Sequence, residues 1–407
     1  MHTGLPVIRT ALALGTLLLC AGNSLADGWS GDVATQWNAF VKEPLADEQH
    51  RSYLSVSAQP EYYREWEDGS RSFQFEPFAR VSQYDSKRTH VDIRELNFGM
   101  VEDNWELTAG ISKVFWGMTE SQHLVDIINQ DDLVENTDGE DKLGQPMLNL
   151  TLVSDYGNLD LFVLPGFRTR TFAGPEGRPR FGFQLVDQNN PEYESGAEEK
   201  HIDLAARWFQ MIGDWEVAVS QFRGTSREPG FMLKSPGAPG SPQLVPFYSQ
   251  INHTGLEIQG VFGAWLWKFE GIRVNGFKER GVKSRSYFAS DFGFEYTFVL
   301  ENGFEIGALM EYNWDQRGRD AFTQFQNDVL VGTRLTFNDV QSTQILAGVM
   351  IDAGSAGRSY NVEAERRIGD NWKLSLEARG VFHVKPGDFL YQFRRDNSLR
   401  INLARYF

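Results

Sequence analysis

The chain has 407 residues, 55 acidic against 39 basic, and a formal net charge of −16. That balance excludes a nucleic-acid binder, which needs a basic face for backbone phosphates. Aromatic residues are 13% of the chain, yet past residue 26 no apolar run approaches the about 20 residues of a spanning helix, which excludes a helical membrane protein.

Residues 1–26 have the form of a secretory signal. Arg9 supplies the positive start, residues 11–21 the short apolar core, and Ser24-Leu25-Ala26 a small-x-small cleavage site, leaving Asp27 as the expected mature start. The single cysteine, Cys20, follows Leu19 rather than the small residue of a lipobox. The mature chain is therefore expected to carry no thiol and no disulfide. No composition break divides residues 27–407, and one domain is expected there.

That domain reads as short alternating strands. Residues 33–40 alternate through Val33, Thr35, Trp37 and Ala39, and 51–66 alternates until Pro60 interrupts it. In 72–83, Phe73, Phe75, Pro77, Ala79 and Val81 share one face, while Gln74, Glu76, Arg80 and Ser82 share the other. The phase slips between Ile93 and Leu96 within 89–101, which predicts a bulge. Residues 105–116 form the fifth strand. After an interruption the pattern resumes at 147–153 and 159–165, then at 202–210, 215–222, 254–261, 265–273, 287–298, 304–313, 329–337, 343–351, 359–368, 372–382 and 398–407.

The count is eighteen, an even number, as bacterial barrels require. Long and short connections alternate, the longest including 168–200 and 225–243, and short turns are followed at once by Trp105, Trp215, Trp265 and Trp372. Short turns at one end, long loops at the other and tryptophan at a recurrent depth describe a transmembrane antiparallel β-barrel with an interfacial girdle. A soluble sandwich, where those tryptophans would lie in a core, is the rival. The last strand ends on Phe407, which resembles the sorting signal read by the barrel-assembly machinery; Arg405 departs from that pattern and snorkels to the headgroups.

Residues 119–146 break the alternation and would form the third outward loop. The stretch contains Glu120, Asp126, Asp131, Asp132, Glu135, Asp138, Glu140 and Asp141. Within 122–130, Leu124, Val125, Ile127 and Ile128 sit at roughly helical spacing. A short helix pinned to the inner wall by them would aim carboxylates across the lumen, where Asp126, Asp131, Asp132 and Glu135 would favour cations. An acidic outer-surface loop that binds divalent cations is the alternative.

Lumen-facing positions carry both signs. Glu76, Glu106, Asp203, Glu257, Glu270, Asp291, Glu295, Glu305, Glu311, Glu363 and Glu365 accompany Arg80, Arg207, Lys268, Arg334, Arg367, Lys373, Arg379 and Arg400. The expected constriction set is Glu120, Asp126, Asp131, Asp132 and Glu135 with Arg80, Arg207, Arg334, Arg367 and Arg379. Enzyme signatures are poor: His123 and Asp126 lack a second ligand pair, Asp138-Gly139-Glu140-Asp141 is only a fragment of a calcium loop, and no G-x-S-x-G turn occurs. No cofactor is expected.

The segments PEYYREWEDGSRSFQFEPFAR, DIRELNFGM and VFWGMTESQHLVDIINQDDLVE resemble a proteobacterial outer-membrane β-barrel family of the porin superfamily that has no assigned activity. The layout is similar to the alginate-export and phosphate-selective porins. The resemblance implies the fold, a bacterial outer-membrane location and contact with outer-membrane lipid and lipopolysaccharide, and trimers are common among porins. The expected function is a channel for passive diffusion of small solutes, cation-preferring or weakly selective. A conduit for a polysaccharide or organic solute, and an outer-membrane lipid-modifying enzyme, are the alternatives.

Overall fold

The computed structural model describes residues 28–180, 186–234, 243–279 and 283–407; the expected signal sequence lies outside them. Among the described residues, eighteen strands form one closed antiparallel ring from Trp29–Phe40 to Ser398–Tyr406. Each strand pairs with the next in the ring, and the last returns to the first, with Asn38 opposite Arg400 and Asp32 opposite Tyr406. Closure leaves no free sheet edge. The first strand, although its alternation is weak, is held on both sides, by Ser52–Trp66 and by Ser398–Tyr406.

Side-chain direction follows the period of two. Trp37, Leu54, Phe98, Leu148, Leu161, Val219, Leu256, Phe292 and Leu403 are exposed on the outer face. Gln36, Ser55, Arg80, Asn97, Glu257, Glu270, Asp291 and Asn313 are buried on the inner face. Trp215, Trp265 and Trp372 are exposed on the outside just after short turns. A sandwich core would bury them, so that rival fails.

Short turns such as 155–156, 213–214 and 263–264 mark one end; the long connections 41–51, 83–89, 113–144, 166–201 and 226–249 mark the other. At that loop end Gly230–Lys234 pairs with Gln243–Tyr248, which also touches Glu192–Tyr193, so the fourth and fifth long connections share a three-stranded sheet. Arg178 clasps three connections together. It donates to Asp396 Oδ1 at 2.6 Å and to the carbonyl of Lys42 at 3.1 Å, and its guanidinium lies 4.2 Å from the Phe40 ring centre.

The bulge stands where the phase slips. Glu76 pairs with Glu95 and Pro77 with Ile93, leaving Arg94 as the extra residue. An inserted residue re-aims its neighbours. Consecutive residues normally face opposite sides, yet Arg94 and Glu95 are both buried and both reach lumen partners. The fifth strand, Trp105–Ser112, ends four residues before the expected 116, and the sixth, Gln145–Ser154, starts two residues before the expected 147.

Candidate functional site: the inward loop and its opening

Residues 113–144 leave the wall between Trp105–Ser112 and Gln145–Ser154 and turn into the lumen. Their root is pinned by Asn129, which is 1% exposed. Its Nδ2 donates to the carbonyls of Ser112 at 2.8 Å and Leu143 at 2.9 Å, and its Oδ1 accepts from Val114 N–H at 2.8 Å. One side chain thus ties the entry and exit of the loop together.

The first arm packs on the inner wall. Trp116, Val125, Ile127 and Ile128 join Met147, Phe162, Leu164, Phe222, Ile251, Ile272 and Val274 in one buried cluster. The four apolar residues expected to pin the segment include three of these, so the anchoring face was correctly read. The helix was not: residues 122–130 form turns and bends. The chain entering the segment is held by carboxylates of the barrel wall. Glu270 Oε1 accepts from Met118 N–H at 2.6 Å, Thr119 N–H at 3.0 Å and Thr119 Oγ1 at 2.8 Å. Glu311 accepts from Glu120 N–H at 2.7 Å and Ser121 N–H at 2.8 Å, and Asp291 from Ser121 Oγ at 2.7 Å. These bonds tie the chain just before the segment, at 118–121, to the wall.

The second arm is a small hairpin. Leu143 N–H meets Gln130 O at 2.8 Å and Asp132 N–H meets Asp141 O at 2.7 Å, so residues 130–143 fold back on themselves. Its flanks are held by ion pairs to the wall and neighbouring loops. Arg80 reaches Glu135 at 2.6 Å, Arg94 reaches Asp132 at 2.7 Å, and Lys142 lies 3.0 Å from Asp126 and 2.7 Å from Asp131, which Arg170 also meets. Side-chain exposures of 0% for Asp126 and Asp132 and 5% for Glu135 mean that these carboxylates aim into cations, not across open lumen. Burial pushes Asp126 up to about 6 against the pull of Lys142. Burial also opposes charge on Asp131 and Glu135. There, however, Arg170 and Lys142, and Arg80 and Arg88, outweigh it and hold both below the ordinary carboxylate range.

Two contacts carry the loop across to the far wall. At one side Arg334 donates to Glu120 Oε2 at 2.6 Å. At the other, Arg379 donates to Asp138 Oδ2 at 2.6 Å and to Asn136 Oδ1 at 3.0 Å. Between these points the loop edge faces Gln344–Asp352 and Arg358–Ile368 across a cavity of about 960 Å³. Glu120, Asp138, Glu140, Glu363 and Glu377 line it, with Arg334, Arg379, Arg400 and His123. Burial works against charge on His123, but the hydrogen bond and charge of Glu140, 2.9 Å away, with Glu270 and Asp126 beyond, hold the imidazole above its ordinary pKa.

Of the ten expected constriction residues, Glu120, Arg334 and Arg379 meet at the opening. Asp126 and Asp131 also line the cavity but are paired with Lys142, and Asp132, Glu135 and Arg80 gather behind it as anchors. Arg207 stands apart under the loop root, bidentate on Glu257 at 2.9 Å and facing Trp116. Arg367 lies opposite Lys373 at the short-turn end. Sequence reasoning missed Asn129, Arg94 and the acceptor role of Glu270 and Glu311; the phase slip before Leu96 was the signal that could have found Arg94.

No family model and no curated protein sequence matches the chain. Among solved structures, OccAB3 of Acinetobacter baumannii superposes with a TM-score of 0.50 at 9% identity, over 94% of this chain and 100% of that one. OmpT of Vibrio cholerae, an outer membrane protein in trimer form, gives 0.46 at 9% identity over 93% and 98%. A mutant of the Rh. blastica porin gives 0.44 at 8% identity over 93% and 99%. The likeness to OccAB3 bears on fold alone, and the fold of this chain is a closed eighteen-strand antiparallel barrel.

Proposed function

We propose that the chain, exported by residues 1–26 and matured at Asp27, is a bacterial outer-membrane channel for passive diffusion of small polar solutes, with no catalytic step. The observation that carries the reading is the loop 113–144, which crosses the lumen between Arg334 and Arg379 beside a cavity of about 960 Å³. A passage bounded by fixed charge filters by size and by sign. Eleven acidic side chains and eight Lys or Arg side chains line it, an acidic excess that supports a weak preference for cations.

In this reading the constriction residues divide the work. Glu120, Arg334 and Arg379 set the field in the opening. Asp126, Asp131, Asp132, Glu135 and Arg80 fix the position of the loop, and their charge is largely offset where they stand. Arg207 lies in the same lumen under the loop root, and Arg367 at the short-turn end. The mature protein in a planar bilayer should give stepwise conductance and a reversal potential of cation-preferring sign under a salt gradient. A folded barrel that inserts yet passes no current would rule out the diffusion channel.

A further inference from the structure

A barrel that meets lipid presents an apolar band outward. On three adjacent strands, Trp215–Thr225, Gln250–Phe262 and Trp265–Phe277, that band stops short of the loop end. Arg223 stands opposite Asn252, and Asn252 opposite Asn275; one step down, Gln221 stands opposite Thr254, and Thr254 opposite Arg273. These six side chains make two polar rows, with Thr254 Oγ1 donating to Gln221 Oε1 at 2.7 Å. Apolar residues border them: Leu204 lies beside Arg223 and Phe288 beside Arg273, both exposed, with exposed Val219 and Leu256 next along the strands.

The two arginines share a face and a depth. Arg223 follows Trp215, and Arg273 follows Trp265, by eight residues each. An even spacing keeps them on the outer face with those tryptophans. Eight residues of a tilted strand advance about 20 Å along the barrel axis, which places both guanidiniums near the far edge of an apolar band about 25 Å tall. Both side chains are exposed. Arg273 packs over Phe288 with its guanidinium carbon 5.3 Å from the ring centre. Among the described residues neither has a carboxylate within ion-pair distance, whereas Arg80, Arg94, Arg207, Arg334 and Arg379 inside the barrel all do.

Two unpaired guanidiniums at headgroup depth, with two Asn, a Gln and a Thr between them, complement a phosphorylated sugar: the forks match phosphate oxygens and the amides match hydroxyls. We infer that this patch binds the phosphorylated headgroup of an outer-leaflet glycolipid. The inference rests on the membrane placement in the proposed function, with the loop end outward. A second copy of the chain meeting this face about a twofold axis would bring like charges together.

The test uses the full chain in detergent, titrated with lipopolysaccharide and with the same lipopolysaccharide after enzymatic removal of its phosphates, read by native mass spectrometry. The wild type should retain the phosphorylated form at least about tenfold more tightly, the usual scale for losing a charged contact. R223Q/R273Q should lose that preference, R223K/R273K should keep part of it, and single-channel conductance should be unchanged in both. Equal retention of the two lipids by the wild type, or an undiminished preference in R223Q/R273Q, would overturn the assignment. So would a variant that changes the oligomeric state while keeping its lipid preference, since the patch would then be a protein interface. Selective retention by a barrel that never conducts would defeat the diffusion reading and leave the lipid site standing.

Discussion

Arg379→Gln tests the attachment of the hairpin tip. Arg379 holds the hairpin tip through Asp138 at 2.6 Å and Asn136 at 3.0 Å, and also meets Glu377 at 2.6 Å and Glu363 at 3.3 Å. A hydrogen bond to a charged group is worth about 1.5–3 kcal/mol, and side-chain exposures near 20% for Arg379 and Asp138 argue for the lower half of that range. A loss of about 2 kcal/mol raises the population with a released tip about 30-fold. Like-charge repulsion acts in the same direction, because Asp138, Glu363 and Glu377 lose their shared cation. The rest of the hairpin stays docked through Arg80 and Arg94, so the change is confined to residues 136–140. Expected in a planar bilayer are a larger or noisier single-channel conductance and a reversal potential shifted toward stronger cation preference. Conductance and reversal potential both equal to wild type would refute the bridging role of the tip and the place of Arg379 in the opening.

Glu270→Ala removes four acceptor contacts from residues 118–125 and should undock the first arm by about 3 kcal/mol, seen as new protease cleavage inside 113–129 with the barrel intact; unchanged resistance would count against the clasp. Arg80→Ala leaves Glu135 buried without its main partner, a change that costs about 3–5 kcal/mol and should lower thermal stability while disturbing conductance. For His123 the folded pKa is raised, so its charge is fully present below the unfolded value near 6.5 and is lost as pH rises through the folded value. Cation preference should therefore grow with pH above about 6.5, and H123Q, which fixes the site neutral, should abolish that part of the pH dependence. Asp131 and Glu135 have the opposite sign: their lowered folded pKa values keep their ion pairs intact above about pH 4, and their share of the anchorage should weaken only as pH falls through those lower values, measurable as acid-induced protease sensitivity of residues 130–143.

Local periodicity was enough to determine the barrel. Alternation over eighteen segments, turn residues at alternate connections and tryptophans after the short turns are one-dimensional signals, because a strand shows alternate side chains to two solvents whatever its partners are. The apolar face of the loop was readable for the same reason: Val125, Ile127 and Ile128 had to be buried somewhere. What the loop does with its charges was not readable. Asp132 and Glu135 read as free lumen carboxylates until Arg94 and Arg80, 38 and 55 residues earlier in the chain, are brought against them by barrel closure and by the bulge. The expected helix at 122–130 is replaced by turns and bends, and the chain entering it is tied to Glu270 and Glu311, about 150 and 190 residues later. The sequence by itself determined which residues face in and out, since that depends on neighbours one and two positions away. Only the tertiary structure decided which inward charges are spent as anchors and which remain in the opening, because ion pairing depends on distances between strands far apart in the chain.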